Sequence, residues 1–269
     1  MPDTAQTASS AAGVTPAKQK ISKDHISRGV RAKTTAQLYR DAAAVWGRRP
    51  AFARRGKSKE KGRIDIWQPT GFDFLYSEGA ALATALIDLG VGAKDRVGML
   101  ADNRIEWIIA NYGIQLAGCA DVPRGADVTP GDVTFILPHA GATACFVEHL
   151  ELWKRIEPLK DQVPGVKHWI LMNAAQQAPE GMVHMNDVIA KCHQLREGGD
   201  RRAEERSDAV VPEDLCTLIY TSGTTGAPKG VMLSHWNVLY AIDLIPVDLT
   251  PNVRMLSILP VWHIFERVL

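Results

Sequence analysis

The sequence lacks the marks of several protein classes. Its four cysteines, Cys119, Cys145, Cys192 and Cys216, stand far apart with no CxxC pair. That spacing argues against a zinc site or a disulfide framework and fits buried thiols in a reducing compartment. No charge of one sign prevails, since 31 Lys and Arg oppose 30 Asp and Glu. Nothing therefore draws the chain to nucleic acid or to an acidic membrane surface. No apolar run reaches the length of a membrane span. The closest, WIIANYGIQLAG at 107–118, is interrupted by Asn111 and Gln115 and reads as a buried helix. The first twenty residues have no apolar core of a secretory signal. Rich in Ala, Ser and Thr and poor in acids, they faintly resemble an organellar presequence, but a disordered tail over residues 1–33 is the better reading. No solenoid-type repeat is visible. What is present, 46% hydrophobic residues in a chain of 269, suffices for a sizeable globular core.

The pattern along the chain predicts an α/β fold. TAQLYRDAAAVWG at 35–47 has helical spacing and a glycine stop. Two short strands should follow around a basic turn, Arg54 to Arg63, with six basic residues against one acid. FLYSEGAALATALIDL predicts a helix from Phe74 to Leu89, closed by Gly90. Then come strand 95–101, a helix ending near Gly118, strand CADVP, and a helix capped by Thr129 with Pro130 at its first position and Asp132 in a capping box. Further strands are expected at 143–148 and 168–172. Such alternation with short connections predicts a doubly wound, mostly parallel sheet flanked by helices. Residues 196–213, polar and charged, read as a surface linker. Met232, Met255 and the Trp residues other than Trp262 are expected in the core.

One stretch carries chemistry. LCTLIY (215–220) reads as a strand and runs into TSGTTGAPKG (221–230). Thr221, Ser222, Thr224 and Thr225 supply hydroxyls, and Lys229 a point charge. Gly223, Gly226 and Gly230 allow backbone to approach a ligand closely. These are the requirements of a triphosphate cradle. The Walker A pattern needs lysine directly after glycine at a helix start. Here Ala227 and Pro228 intervene, and apolar GVML follows. The chain should return as a strand, with Ser234 capping the next helix. A strand–loop–strand cradle without a helix dipole is therefore expected, and a Walker-type NTPase is disfavoured.

YTSGTTGAPKGVMLSHWN (220–237) resembles the phosphate-loop signature of the adenylate-forming superfamily, which includes acyl-CoA synthetases and adenylation domains. SILPVWHIFER (257–267) resembles that family's next motif in the form found in long-chain fatty acid–CoA ligases. DNRIEWIIANYGIQLAGCADVPRG (102–125) is similar to its N-terminal segment. The resemblance runs from about residue 35 to the last residue. It implies activation of a carboxylic acid with MgATP to an acyl-AMP, then transfer to coenzyme A.

On that resemblance Thr221, Ser222, Gly223, Thr224, Thr225, Gly226 and Lys229 would surround the β- and γ-phosphates. Lys229 would neutralise the departing pyrophosphate. His263 would shape the site near the acyl-adenylate, beside Trp262 and Phe265 in the substrate pocket. Lys229 and His263 are thus the candidate catalytic residues. Asp102, Asn103, Arg104 and Glu106 read as helix-start and capping residues. Tyr220 is expected to support the loop by packing, and His235 and Asn237 to serve at the start of the following helix. The family's adenine, ribose and magnesium ligands and its small C-terminal domain are not found in this sequence, so no metal ligand is assigned. The chain is thus expected to be an incomplete, N-terminal part of the adenylate-forming fold, from 34 to 269, inactive alone and with an open apolar sheet edge. Its expected partners are ATP, a fatty acid and CoA, with no nucleic acid. A peripheral membrane contact and a C-terminal partner chain from a split gene are left open. The expected location is cytoplasmic. Other readings are an acyl–carrier-protein ligase or another adenylation domain, and a non-catalytic interaction module.

Overall fold

The structure is a computed structural model and describes residues 32–56, 66–221, 228–244, 254–264 and 266. Helix α1 (Thr35–Trp46) starts at Thr34, whose hydroxyl accepts the Gln37 N–H, and stops at Gly47. Strands β1 (Pro50–Gly56) and β2 (Ile66–Gly71) pair antiparallel. Most of the basic turn between them lies outside the described residues. Helix α2 (Phe72–Asp88) leads to β3 (Arg96–Leu100), α3 (Ile105–Leu116), β4 (Ala120–Arg124), α4 (Pro130–Ala140) and β5 (Ala142–Val147). The expected capping box opens α4: Asp132 N–H donates to the Thr129 hydroxyl, and Thr129 N–H to the Asp132 carboxylate. Two orphan donors are satisfied at once, which fixes where the helix begins.

Past β5 come elements that no strong sequence pattern announces. Helix α5 (Leu150–Ile156) runs into a 3-10 turn at Glu157–Gln162, and the expected strand β6 (His168–Leu171) follows. Then come β7 (Met182–His184), α6 (Met185–Glu197) and α7 (Arg202–Asp208). The expectation of a surface linker over 196–213 is thereby corrected. The stretch holds the end of α6 and all of α7, with Ala203 and Ser207 buried. Arg196 pairs with Glu204 at 2.6 Å, and Arg206 Nη1 donates to the Val91 carbonyl at 2.9 Å. The charged composition thus reflects one solvated face of a packed helix. The chain ends its described course with β8 (Leu215–Thr221), β9 (Lys229–Ser234) and α8 (His235–Asp243).

Seven strands form one sheet in the order β7-β6-β5-β3-β4-β8-β9. Every neighbouring pair is parallel except β8 and β9, which are antiparallel. Successive residues of a strand point to opposite faces, and both faces here are apolar. Val97 and Met99 of β3, with Phe146 of β5 and Ile170 of β6, face a core built with α2, α3 and α6. Leu100, Cys145, Val147, Trp169 and Leu171 face the other side, against α4, α5 and the 3-10 turn. The doubly wound, mostly parallel architecture is as expected.

All four cysteines are buried free thiols. Burial pushes the Cys119 thiol up to about 12, so it is an inert packing group. Among the described residues no helix is long and apolar enough to cross a membrane. The assignment of Met232, Met255 and the Trp residues other than Trp262 to the core is corrected in part. Trp107, Trp153 and Trp169 are buried, but Met232 is 68% exposed, and Met255, Trp67 and Trp236 are also exposed. Met232 lies on β9, the sheet edge, where no described residue covers one face; Val231 beside it is exposed too. Trp236 stacks on Tyr240 along the open side of α8 instead of entering a core.

Candidate functional site

Ligands of open α/β sheets bind beyond the carboxyl ends of the parallel strands. In this chain that edge gathers Thr221 at the end of β8, Arg124 at the end of β4, Asp102 after β3 and Glu148 after β5. Thr221 and Lys229 are cross-strand partners, so the strands end with a threonine and a lysine on the same face of the ladder. Both residues are exposed. Ser222, Gly223, Thr224, Thr225 and Gly226 lie outside the described residues. Lys229 is followed by a strand instead of a helix, which is the strand–loop–strand form and not the Walker form.

The hairpin's base is rigid for local reasons. Tyr220 is buried, and its hydroxyl lies 2.6 Å from Nδ1 of His139 on α4. Phe135 meets the Tyr220 ring edge-on, with centroids 6.5 Å apart. Burial raises the Tyr220 hydroxyl above its ordinary pKa, so it is a neutral hydrogen-bonding group at physiological pH. Opposite it in register is Gly230, where an added Cβ would lie 3.1 Å from Cζ of Tyr220. The role expected of Gly230, close approach to a ligand, is replaced by close approach to this ring. At the far end of β9, Ser234 and Asn237 form the capping box of α8.

Arg124 joins this hairpin to the 257–267 motif. Its Nη1 donates to the Tyr220 carbonyl at 3.3 Å, and its Nη2 stands 3.6 Å from the Asp132 carboxylate. The guanidinium carbon lies 6.0 Å from the centre of the Trp262 ring. Its Nε is buried without a hydrogen-bond partner. Gly125, next in sequence, lets Trp262 come close: an added Cβ would stand 2.8 Å from the indole Nε1. Trp262 therefore sits over the carboxyl end of β4, beside the β8–β9 hairpin. His263 follows in a turn closed by its own N–H donating to the Pro260 carbonyl at 2.9 Å, and it is exposed. Phe265 lies outside the described residues.

The 102–106 segment does not do what its composition suggests. The N-cap of α3 is Arg104, and no side chain caps the helix. Asp102 instead accepts the Ala126 N–H at 3.0 Å, and Asn103 reaches residues 257–261. Arg104 pairs with Glu106 at 3.0 Å and Glu148 at 3.3 Å. Arg124 is the residue the sequence reading missed at this edge, and Asn103 one it took for a cap. The signal for Arg124 was available: a lone arginine between Pro123 and Gly125 ends a buried strand. Among the described residues no group of three or more His, Cys, Asp or Glu could hold a metal ion.

A mostly parallel doubly wound sheet whose last strand, β9, pairs antiparallel with β8 is the architecture expected of an adenylate-forming domain. The chain belongs to the AMP-binding enzyme family, whose model matches residues 39–269. It is 32% identical over 195 residues to the probable acyl-activating enzyme 16, chloroplastic, of Arabidopsis thaliana, covering 66% of this chain and 26% of that protein. It is 27% identical over 243 residues to a chloroplastic long-chain-fatty-acid–[acyl-carrier-protein] ligase of the same plant, covering 84% and 33%. A long-chain-fatty-acid–CoA ligase from Archaeoglobus fulgidus shares the fold, with a TM-score of 0.66 at 20% identity over 87% of this chain and 44% of that one. The chain thus spans roughly a quarter to a third of these two plant relatives.

Proposed function

We propose that this chain supplies the triphosphate cradle and part of the acyl site of a fatty acid–CoA ligase. The enzyme would activate a long-chain fatty acid to acyl-AMP and pass the acyl group to coenzyme A. The observation that carries the reading is the β8–β9 hairpin, which sets Thr221 opposite Lys229 at the carboxyl end of the sheet. Joining a carboxylate to the α-phosphate brings two anions together, so the protein's work is positioning and charge neutralisation. Lys229 would balance charge on the leaving pyrophosphate. Thr221, with the hydroxyls and glycines of 222–226, would hold the phosphate tail. Trp262, His263 and Phe265 would shape the acyl side of the site.

The magnesium that accompanies ATP finds no built ligand set among the described residues, and no step is assigned to it. A second acceptor is favoured by the match to an acyl-carrier-protein ligase at 27% identity over 84% of this chain. The test is product formation by the full-length protein bearing this sequence. It should be given ATP and fatty acids of graded length, with CoA or a phosphopantetheinylated carrier protein as acceptor. Acyl-CoA should form and should be greatest with long chains. Acylation of the carrier protein alone would favour the second reading, and no product from any acid would sink both.

A further inference from the structure

Asn103 bonds to the backbone on both sides of Pro260. Its Nδ2 donates to the Leu259 carbonyl at 2.7 Å, and its Oδ1 accepts the Val261 N–H at 2.8 Å. The Ser257 hydroxyl lies 3.4 Å from the same Nδ2. A planar amide with one donor and one acceptor imitates an extended backbone, and only Asn or Gln among side chains offers that pair. The segment it grips has little else to shape it. Residues 254–258 are in neither helix nor strand, and Leu256, Ile258 and Leu259 are exposed. Pro260 itself has no N–H to give. The segment's other anchors lie just beyond the clamp. The Val261 side chain is buried in the main core, and Trp262 packs beside Gly125 and Arg124. Asp102, one residue before Asn103, ties the same loop to Ala126. The ends of β3 and β4 and the 259–263 segment are thereby built as one unit.

We propose that Asn103 is a positioning residue, whose amide clamp sets the height of Trp262 and His263 over the carboxyl end of the sheet. The proposal rests on the reading of the site as an adenylation centre. Asn103 acts through the two residues after Val261. An error of about 1 Å in a positioning element can cost on the order of a hundredfold in rate, so the clamp matters more to turnover than to stability.

Two readouts separate this proposal from the functional reading it rests on. The first is amide hydrogen exchange at Val261 in the full-length protein, which needs no activity. Asn103→Ala should speed that exchange by roughly tenfold, the loss of one ordinary hydrogen bond. Asn103→Asp, which sets a carboxylate oxygen against the Leu259 carbonyl in place of the donor, should speed Val261 exchange as well. The second is ATP–pyrophosphate exchange with a fatty acid. Asn103→Ala should lower kcat by about tenfold or more, and the KM for ATP should stay near wild type because the cradle strands are untouched. Asn103→Gln, with the same amide on a longer stem, should recover part of the rate. Unchanged Val261 exchange in Asn103→Ala would overturn the clamp, and faster exchange with unchanged kcat would overturn its role in positioning. A wild-type protein inactive with every acid would remove the functional reading, while the Val261 measurement would still decide the clamp.

Discussion

The Nδ1 atom of His235, at the start of α8, lies 2.8 Å from the Thr35 hydroxyl at the start of α1, 200 residues away. The Thr35 backbone N–H also points at that nitrogen, at 3.3 Å. A backbone N–H can only donate, so Nδ1 accepts and the ring proton sits on Nε2. Burial lowers the pKa of His235 from 6.5 to about 4, against the opposing pull of Asp214 and Asp121. The neutral ring is what holds the helix that follows the cradle to the front of the domain.

A pH dependence follows. Above pH 6.5 the ring is neutral in both folded and unfolded chains and contributes no slope. Between pH 6.5 and about 4 the unfolded chain takes up a proton that the folded ring refuses, so stability falls with pH and levels off below that window. The whole loss is at most about 3 kcal/mol. Denaturant midpoints for wild type and His235→Gln should therefore converge as the pH falls through this window. Parallel curves would contradict the assignment.

Gln115 is the hub behind that contact. Its Nε2 donates to Asp121 at 3.1 Å and to the Cys216 carbonyl at 2.9 Å, and its Oε1 accepts from the Thr35 hydroxyl at 2.9 Å. Both Gln115 and Asp121 are fully buried. Gln115→Leu preserves the rough volume but strands several buried partners. It should cost about 2–4 kcal/mol, a large value for a single substitution. Equilibrium unfolding checks this, and a loss within experimental error would show the network to be dispensable.

Gly125 is a steric test of the Trp262 seat. An added Cβ would stand 2.8 Å from the indole Nε1 and 2.7 Å from Asp127 Oδ1. The carboxylate can swing aside, but the ring can yield only by leaving its place beside Arg124. Gly125→Ala should lower adenylation by the full-length protein by roughly tenfold while costing on the order of 1–3 kcal/mol of stability. Steady-state kinetics and thermal melts on one preparation separate the two effects.

Much of this was legible in the sequence, and the failures share a cause. The parallel strands from 96 to 171 are short runs of apolar and β-prone residues between glycine stops, and the Thr129–Asp132 box announces α4 outright. The antiparallel return at Lys229 was recognisable because apolar GVML, not a helix start, follows the lysine. Helix α7 was missed because only Ala203 and Ser207 turn inward, leaving a charged face that reads as linker. Asn103 was read as a cap because Asn before a helix usually is one. Its true partners are more than 150 residues away, at 259 and 261, and local pattern cannot reveal a contact of that separation. Met232 was misplaced because an edge strand and an interior strand look alike in sequence.

The central claim is that the β8–β9 hairpin holds the triphosphate of ATP, with Lys229 neutralising the departing pyrophosphate. Its most direct measurement is fatty-acid-dependent ATP–pyrophosphate exchange by the full-length protein, wild type against Lys229→Ala. Loss of a charged contact made as pyrophosphate leaves should lower the exchange rate by about 10- to 1,000-fold, with folding intact. Exchange at the wild-type rate in Lys229→Ala would contradict the account.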